Sequence, residues 1–171
     1  MPTTLLDALD IRILETLQSR ARLTNLELAE RVGLSASPCL RRVRRLEEDG
    51  FIEGYAARLN REKIGLGVVA FVRVNIERHN NTDVNAVIKA VSKLPEVIAC
   101  YITSGESDFL LHVVVKDLAA YRSFALEKLT RVPGVRDLRS SFVIGTVKEG
   151  ALLPLPASQE HHKIVISTQQ Y

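Results

Sequence analysis

Between residues 23 and 45 the chain carries two short helical patterns joined at a glycine, and the second ends in four arginines. Thr24 has the side chain of an N-cap, and Glu27, three residues on, completes a capping box. Leu28, Ala29 and Val32 then share one helical side. Gly33 stands where a helix closes through a left-handed residue. Ser35 or Ser37 can cap the next helix, and Pro38 is tolerated in its first turn, where no intrahelical amide bond is lost.

Wound at roughly 100° per residue, residues 35–46 place Cys39, Leu40, Val43 and Leu46 on one arc of about 120°, with Ser37, Arg41, Arg44 and Arg45 opposite. The first arc is expected to pack and the second to stay accessible. A guanidinium matches phosphate oxygens and guanine edges with two parallel hydrogen bonds, so arginines lined along a rigid rod suit a DNA groove. This outlines a helix-turn-helix with Ser35, Ser37, Pro38, Arg41, Arg42, Arg44 and Arg45 as candidate DNA contacts. Arg42, nearer the packed edge, is assigned to the phosphate backbone.

A merely solvated arginine face is the competing reading. Charge patterning argues against it. Residues 1–60 hold nine Lys+Arg against nine Asp+Glu, so this half has no net charge to make it generally adhesive. Oriented docking explains a neutral domain with one cationic stripe better than nonspecific attraction does.

Upstream, Leu6, Leu9, Ile11, Ile13, Leu14 and Leu17 form an amphipathic run able to complete a three-helix core. Downstream, Gly50 ends the third helix, and residues 51–60 contain short β-prone pieces around Gly54 that read as a small wing. Residues 1–60 are therefore expected to form a winged helix-turn-helix, followed by a connector over 61–67.

Past that connector the periodicity changes. Val72, Val74 and Ile76 alternate with Arg73, Asn75 and Glu77, the pattern of a half-buried strand over 68–77. Val84, Val87, Ile88 and Val91 follow at helical spacing within 82–94. Strand-like runs cover 98–103 and 109–115, and a second amphipathic helix covers 118–129. A weak internal echo supports pairing these elements: Leu94-Pro-Glu-Val97 and Val132-Pro-Gly-Val135 each close a helix and open a strand, 38 residues apart. The resulting β-α-β-β-α-β order is that of a ferredoxin-like sandwich, making the chain α+β, with this second domain over 68–155. Residues 156–171 read as a C-terminal tail with no assigned element.

The turn at 104–108 invites a chemical reading. Gly105 lets a backbone amide approach a ligand carboxylate, Ser104 and Ser107 supply hydroxyls, and Asp108 offers an anion to an ammonium. An α-amino acid carries both charges. The same residues also describe an ordinary hairpin connection.

Taken together, Leu6-Asp-Ala-Leu-Asp-Ile-Arg-Ile-Leu14, Leu28-Ala-Glu-Arg-Val-Gly-Leu-Ser35, Ser37-Pro-Cys-Leu-Arg-Arg-Val-Arg-Arg-Leu-Glu47 and Gly50-Phe-Ile-Glu-Gly-Tyr55 resemble the feast/famine (Lrp/AsnC) transcription regulators, nearest their leucine-responsive branch. Pro95-Glu-Val97, Ser104-Gly-Glu-Ser-Asp-Phe-Leu-Leu111, Tyr121 and Pro133-Gly-Val135 extend the resemblance through the second half, so that it covers about residues 6–155. It implies sequence-specific binding to double-stranded DNA and control of amino-acid metabolism genes. It also implies a small amino-acid effector held at subunit contacts by Ser104, Gly105, Ser107 and Asp108, and homodimers that assemble into tetramers or octamers. The alternative is an architectural DNA-bending protein with no effector.

The remaining composition narrows the field. With 46% hydrophobic and 25% charged residues, the 171-residue chain has the balance of a globular protein in one or two domains. No apolar run reaches the ~18 residues of a membrane span, and the first residues lack the order of a signal peptide, so a cytoplasmic protein is expected. Cys39 and Cys100 are expected to be buried thiols. His79, His112, His161 and His162 show no metal-ligand spacing. No nucleophile elbow, phosphate loop or metal set is present, so neither catalysis nor a cofactor beyond the amino acid is expected.

Overall fold

The computed structural model describes residues 6–77, 84–150 and 152–155. The described residues fall into two compact units, one from those up to 57 together with those from 148 on, the other from those between 58 and 147.

In the first unit three helices enclose a small core: α1 (Ala8–Ser19), α2 (Asn25–Val32) and α3 (Ala36–Glu48). Asp7 caps α1 in a reciprocal box with Asp10, and Thr24 caps α2 in the same way with Glu27. The helix-turn-helix bend is made at Gly33, whose φ of 74° and ψ of 36° suit a residue without Cβ. Ile13, Leu14, Leu28, Ala29, Val32, Cys39 and Leu46 form the buried centre, closed by Leu6, Leu17, Val43, Phe51 and Ile52. Leu40 was expected on the packed arc but is 37% exposed, because the three-helix core ends at its edge.

The wing segment after Gly50 forms no strand over 51–60. It is pinned to the end of α3 by the Ile52 amide, which donates to Leu46 O at 3.1 Å, and by the Tyr55 hydroxyl, which donates to Glu47 Oε1 at 2.9 Å. Desolvation and the Glu47 carboxylate push the Tyr55 phenol up to about 12. Residues near 153 pack against the helices of the first unit. Gln18 Nε2 donates to Leu153 O at 3.3 Å, Gln18 Oε1 accepts from the Leu153 amide at 2.7 Å, and Leu155 borders the helical core.

The second unit is a four-stranded antiparallel sheet in the order β2-β3-β1-β4: β1 (Val68–Ile76), β2 (Val97–Ile102), β3 (Phe109–Val115) and β4 (Val135–Phe142). Helix α4 (Val84–Val91) and helix α5 (Leu118–Ser123) complete the β-α-β-β-α-β order. Ala70, Val72 and Val74 of β1 and Leu111 and Val113 of β3 point to one face, where Val87, Tyr121, Phe124 and Leu129 cover them. The sequence echo becomes a repeated turn: the Val97 amide donates to Leu94 O at 3.0 Å, and the Val135 amide to Val132 O at 3.1 Å.

Two expectations change here. The helix foreseen over 118–129 is α-helical only to Ser123, then winds as a π turn over Phe124–Lys128 and a 3-10 turn over Leu129–Arg131. The wider turn lets Phe124 and Leu129, five residues apart, both face the core. Cys100, expected to be buried, is exposed: it stands opposite Leu111 on the helix-facing side of the sheet, but on the edge strand β2, beyond the reach of that cover. Cys39 is fully buried. The segments carrying His79, His161 and His162, and the tail from 156 onward, lie outside the described residues.

Candidate nucleic-acid interface and effector turn

Alternation of apolar and charged positions along α3 separates what packs from what is presented. Cys39 and Leu46 anchor the inner side, and the side-chain Nδ2 of Asn25 at the start of α2 donates to Ala36 O at 2.8 Å, tying the two helix starts together. Ser35 is the N-cap by backbone conformation, with φ −77° and ψ 158°, but its hydroxyl makes no capping bond. Pro38 lies within the first turn, where its missing N–H interrupts nothing. Ser35 and Ser37 are exposed at this end of the helix, one turn before Arg41.

The four arginines do not behave alike. Arg41 and Arg44 are exposed and form no ion pair with another described residue, so they face outward as the wheel requires. Arg42 is held by two carboxylates, donating from Nη1 to Asp7 Oδ2 at 2.6 Å and to Asp10 Oδ1 at 2.8 Å. These bonds raise the guanidinium pKa further above its ordinary value. Arg45, grouped on the wheel with the outward set, turns back instead: its Nη2 donates to Asp10 Oδ2. Its side chain stays 41% exposed, against 26% for Arg42. Sequence reasoning missed Asp10. The available signal was its position three, four and seven residues before Ile13, Leu14 and Leu17, which places an acid on the apolar stripe of α1.

The turn at 104–108 is built as a stapled hairpin. The Thr103 amide donates to Asp108 O at 3.0 Å, and the Thr103 hydroxyl donates to Ser107 O at 2.7 Å. Gly105, at φ 117°, takes a backbone conformation that side chains rarely adopt, and nothing lies within 4 Å of the Cβ it lacks. Ser104 and Gly105 are exposed, whereas Ser107 and Asp108 are half-buried. Asp108 Oδ2 accepts the Ile76 amide at 2.9 Å, so this carboxylate also completes strand hydrogen bonding. Among the described residues no group of three His, Cys, Asp or Glu side chains could hold a metal ion.

A winged helix-turn-helix DNA-binding family model matches residues 6–53, and an Lrp/AsnC ligand-binding domain model matches residues 69–153. A leucine-responsive regulatory protein of Rhizobium meliloti is 45% identical over 144 residues, covering 84% of this chain and 92% of the relative. The Bkd operon transcriptional regulator of Pseudomonas aeruginosa is 41% identical over 150 residues, covering 88% and 98%. A transcriptional regulator from Neisseria meningitidis, solved as a complex with L-Met, superposes with a TM-score of 0.84 at 44% identity, covering 87% of this chain and 96% of that one.

Proposed function

The chain belongs to the Lrp/AsnC family of DNA-binding transcription regulators, which are not enzymes, and from that premise we propose how its own residues do the work. Helix α3 enters the major groove, Arg41 and Arg44 meet base edges or phosphates, and Ser35, Ser37 and Pro38 bring the helix start against the backbone. Arg42 and Arg45, tied to Asp10, set the pose of the helix. The observation that carries this reading is the outward, unneutralised pair Arg41 and Arg44 on a helix whose other side is anchored by Cys39 and Leu46.

The turn at 104–108 takes an α-amino acid and regulates genes of amino-acid metabolism. The Gly105 backbone and the hydroxyls of Ser104 and Ser107 receive the carboxylate, and Asp108 balances the ammonium. The Neisseria regulator solved with L-Met supports this class of effector. Assembly into homodimers, and from these into tetramers or octamers, follows from two needs. One helix-turn-helix reads only a few base pairs, and the side of the sheet away from its helices leaves Phe71 and Tyr101 exposed. The effector must bind one assembly better than another to change DNA binding. The protein acts where its DNA lies, in the cytoplasm.

Selection of bound duplexes from a random library, followed by calorimetric titration with each of the twenty amino acids, tests both halves. An enriched operator and heat from at least one amino acid are expected. An unenriched library would end the sequence-specific reading, and silence from all twenty would leave an architectural DNA-bending protein.

A further inference from the structure

Although α3 carries four arginines, ion pairs with other described residues hold two of them, Arg42 and Arg45, and none holds Arg41 or Arg44. Asp10, fully buried in the first turn of α1, divides its carboxylate between the other two. Oδ1 accepts from Arg42 at 2.8 Å, while Oδ2 accepts from Arg45 and from the Asp7 amide at 3.1 Å. Asp7 in turn takes a second bond from Arg42 at 2.6 Å. Two carboxylates against two guanidiniums make a closed, neutral set. Arg45 Nε is buried without a partner, so this side chain gives up solvation to reach Asp10.

We propose that Asp10 is a specificity-determining positioning residue, which withdraws Arg45, and together with Asp7 withdraws Arg42, from the phosphate backbone so that α3 offers DNA only Arg41 and Arg44. The inference rests on α3 being the DNA-facing helix. A free guanidinium beside a duplex contributes attraction through counterion release, and that term is the same for every sequence. It strengthens binding to random DNA as much as to an operator. Neutralising two of four arginines therefore lowers the sequence-independent term without touching the residues placed to read bases. The same bonds span 32 and 35 residues between α1 and α3, so they also fix the rotation at which Arg41 and Arg44 are presented.

Asp10→Asn keeps the size of the side chain and one acceptor oxygen while removing the charge. In the full chain, affinity for a selected operator and for a random duplex of equal length is measured across a salt series. The slope of log K against log salt on the random duplex should steepen by about 0.9, the value of one added phosphate contact, and the operator-to-random ratio should fall severalfold. A merely structural role would not steepen the slope. The parent slope and ratio in folded Asp10→Asn protein would overturn the proposal. Arg45→Met supplies an independent arm should Asp10→Asn fail to fold. It should keep the parent slope, whereas a slope shallower by about 0.9 would place Arg45 on phosphate and overturn the proposal. Arg41→Gln separates this inference from its premise. If Arg41→Gln weakens operator binding or flattens its slope but Asp10→Asn and Arg45→Met contradict expectation, only the role of Asp10 falls; parent affinity and parent slope on both duplexes would remove α3 from the interface.

Discussion

The carboxylate of Asp108 accepts the amide hydrogen of Ile76 at 2.9 Å, 32 residues upstream, just beyond the Val74–Phe109 pair at the end of the β1–β3 ladder. The Asp108 amide donates to Val74 O at 3.1 Å, so one residue closes the strand through both backbone and side chain. It does so where the β1–β4 register shifts between Asn75 and Ile76. The same residue thus sets the turn in place and carries the charge assigned to the effector ammonium. Two substitutions separate these roles. Asp108→Ala should abolish the calorimetric response to amino acids and destabilise the second unit by about 1–3 kcal/mol, because the Ile76 amide loses its acceptor. Asp108→Asn should retain most of that stability in thermal melts and still lose the response. A full response in Asp108→Asn would show that the charge does not hold the ligand.

Arg41 and Arg44 project from a helix packed on its other side, so their removal should leave the fold intact. Arg41→Ala or Arg44→Ala should weaken operator binding by about 1–3 kcal/mol if the lost contact is a bidentate base pairing. A lost phosphate contact would instead lower affinity for all sequences alike and reduce the salt slope by about 0.9. Fluorescence anisotropy on labelled operator and random duplexes distinguishes the two, with far-UV circular dichroism reporting retained helix. Parent affinity in both variants would take these side chains off the reading surface.

What was legible in the chain is what local chemistry decides. Thr24 with Glu27 and the closing Gly33 define α2 because caps and left-handed turns involve neighbours only. β1 was visible because its apolar positions alternate with polar ones, and a period of two needs no distant partner to be seen. Its place on the apolar stripe marked Asp10 as unusual, but the partners of Asp10 were not visible, since they lie more than thirty residues away. Arg45 was misplaced for the same reason: a helical wheel gives direction but not what a long side chain bends back to reach. Leu40 and Cys100 failed on a different point. Apolar residues were assigned to cores, but where a core ends, at the rim of three helices or at the edge strand of a sheet, depends on packing the periodicity does not encode.

The bend between α2 and α3 tests backbone conformation in isolation. Nothing lies within 4 Å of the position a Cβ would take on Gly33, so Gly33→Ala meets no clash and bears only the penalty of its φ of 74°. That penalty is about 1–2 kcal/mol for an ordinary side chain. Gly33→Asn should lose less, because a short polar side chain tolerates the left-handed region. Thermal melts should rank the three proteins Gly, Asn, Ala. Equal melting of the parent and Gly33→Ala would mean that the bend does not require this conformation.

Acid should weaken both units, and two carboxylates locate the loss. Burial pushes Asp7 upward, but the Asp10 amide and the Arg42 guanidinium outweigh it and hold the group below its ordinary 3.8. Glu96 is likewise raised by burial and lowered further by its bond from Lys128, ending below 4.5. A carboxyl depressed in the folded state binds fewer protons there than in the unfolded chain. Its stabilisation is therefore complete above the unfolded value and disappears as pH falls through the folded one. The denaturation midpoint should accordingly change little through these two groups down to about pH 5 and fall below it. Asp7→Asn should flatten that fall in the helical unit and Glu96→Gln in the sheet unit, since neither variant has the charge left to lose. Urea titrations followed by circular dichroism at a series of pH values measure the slopes, and an acid slope identical in the parent and both variants would deny these pairs any part in it.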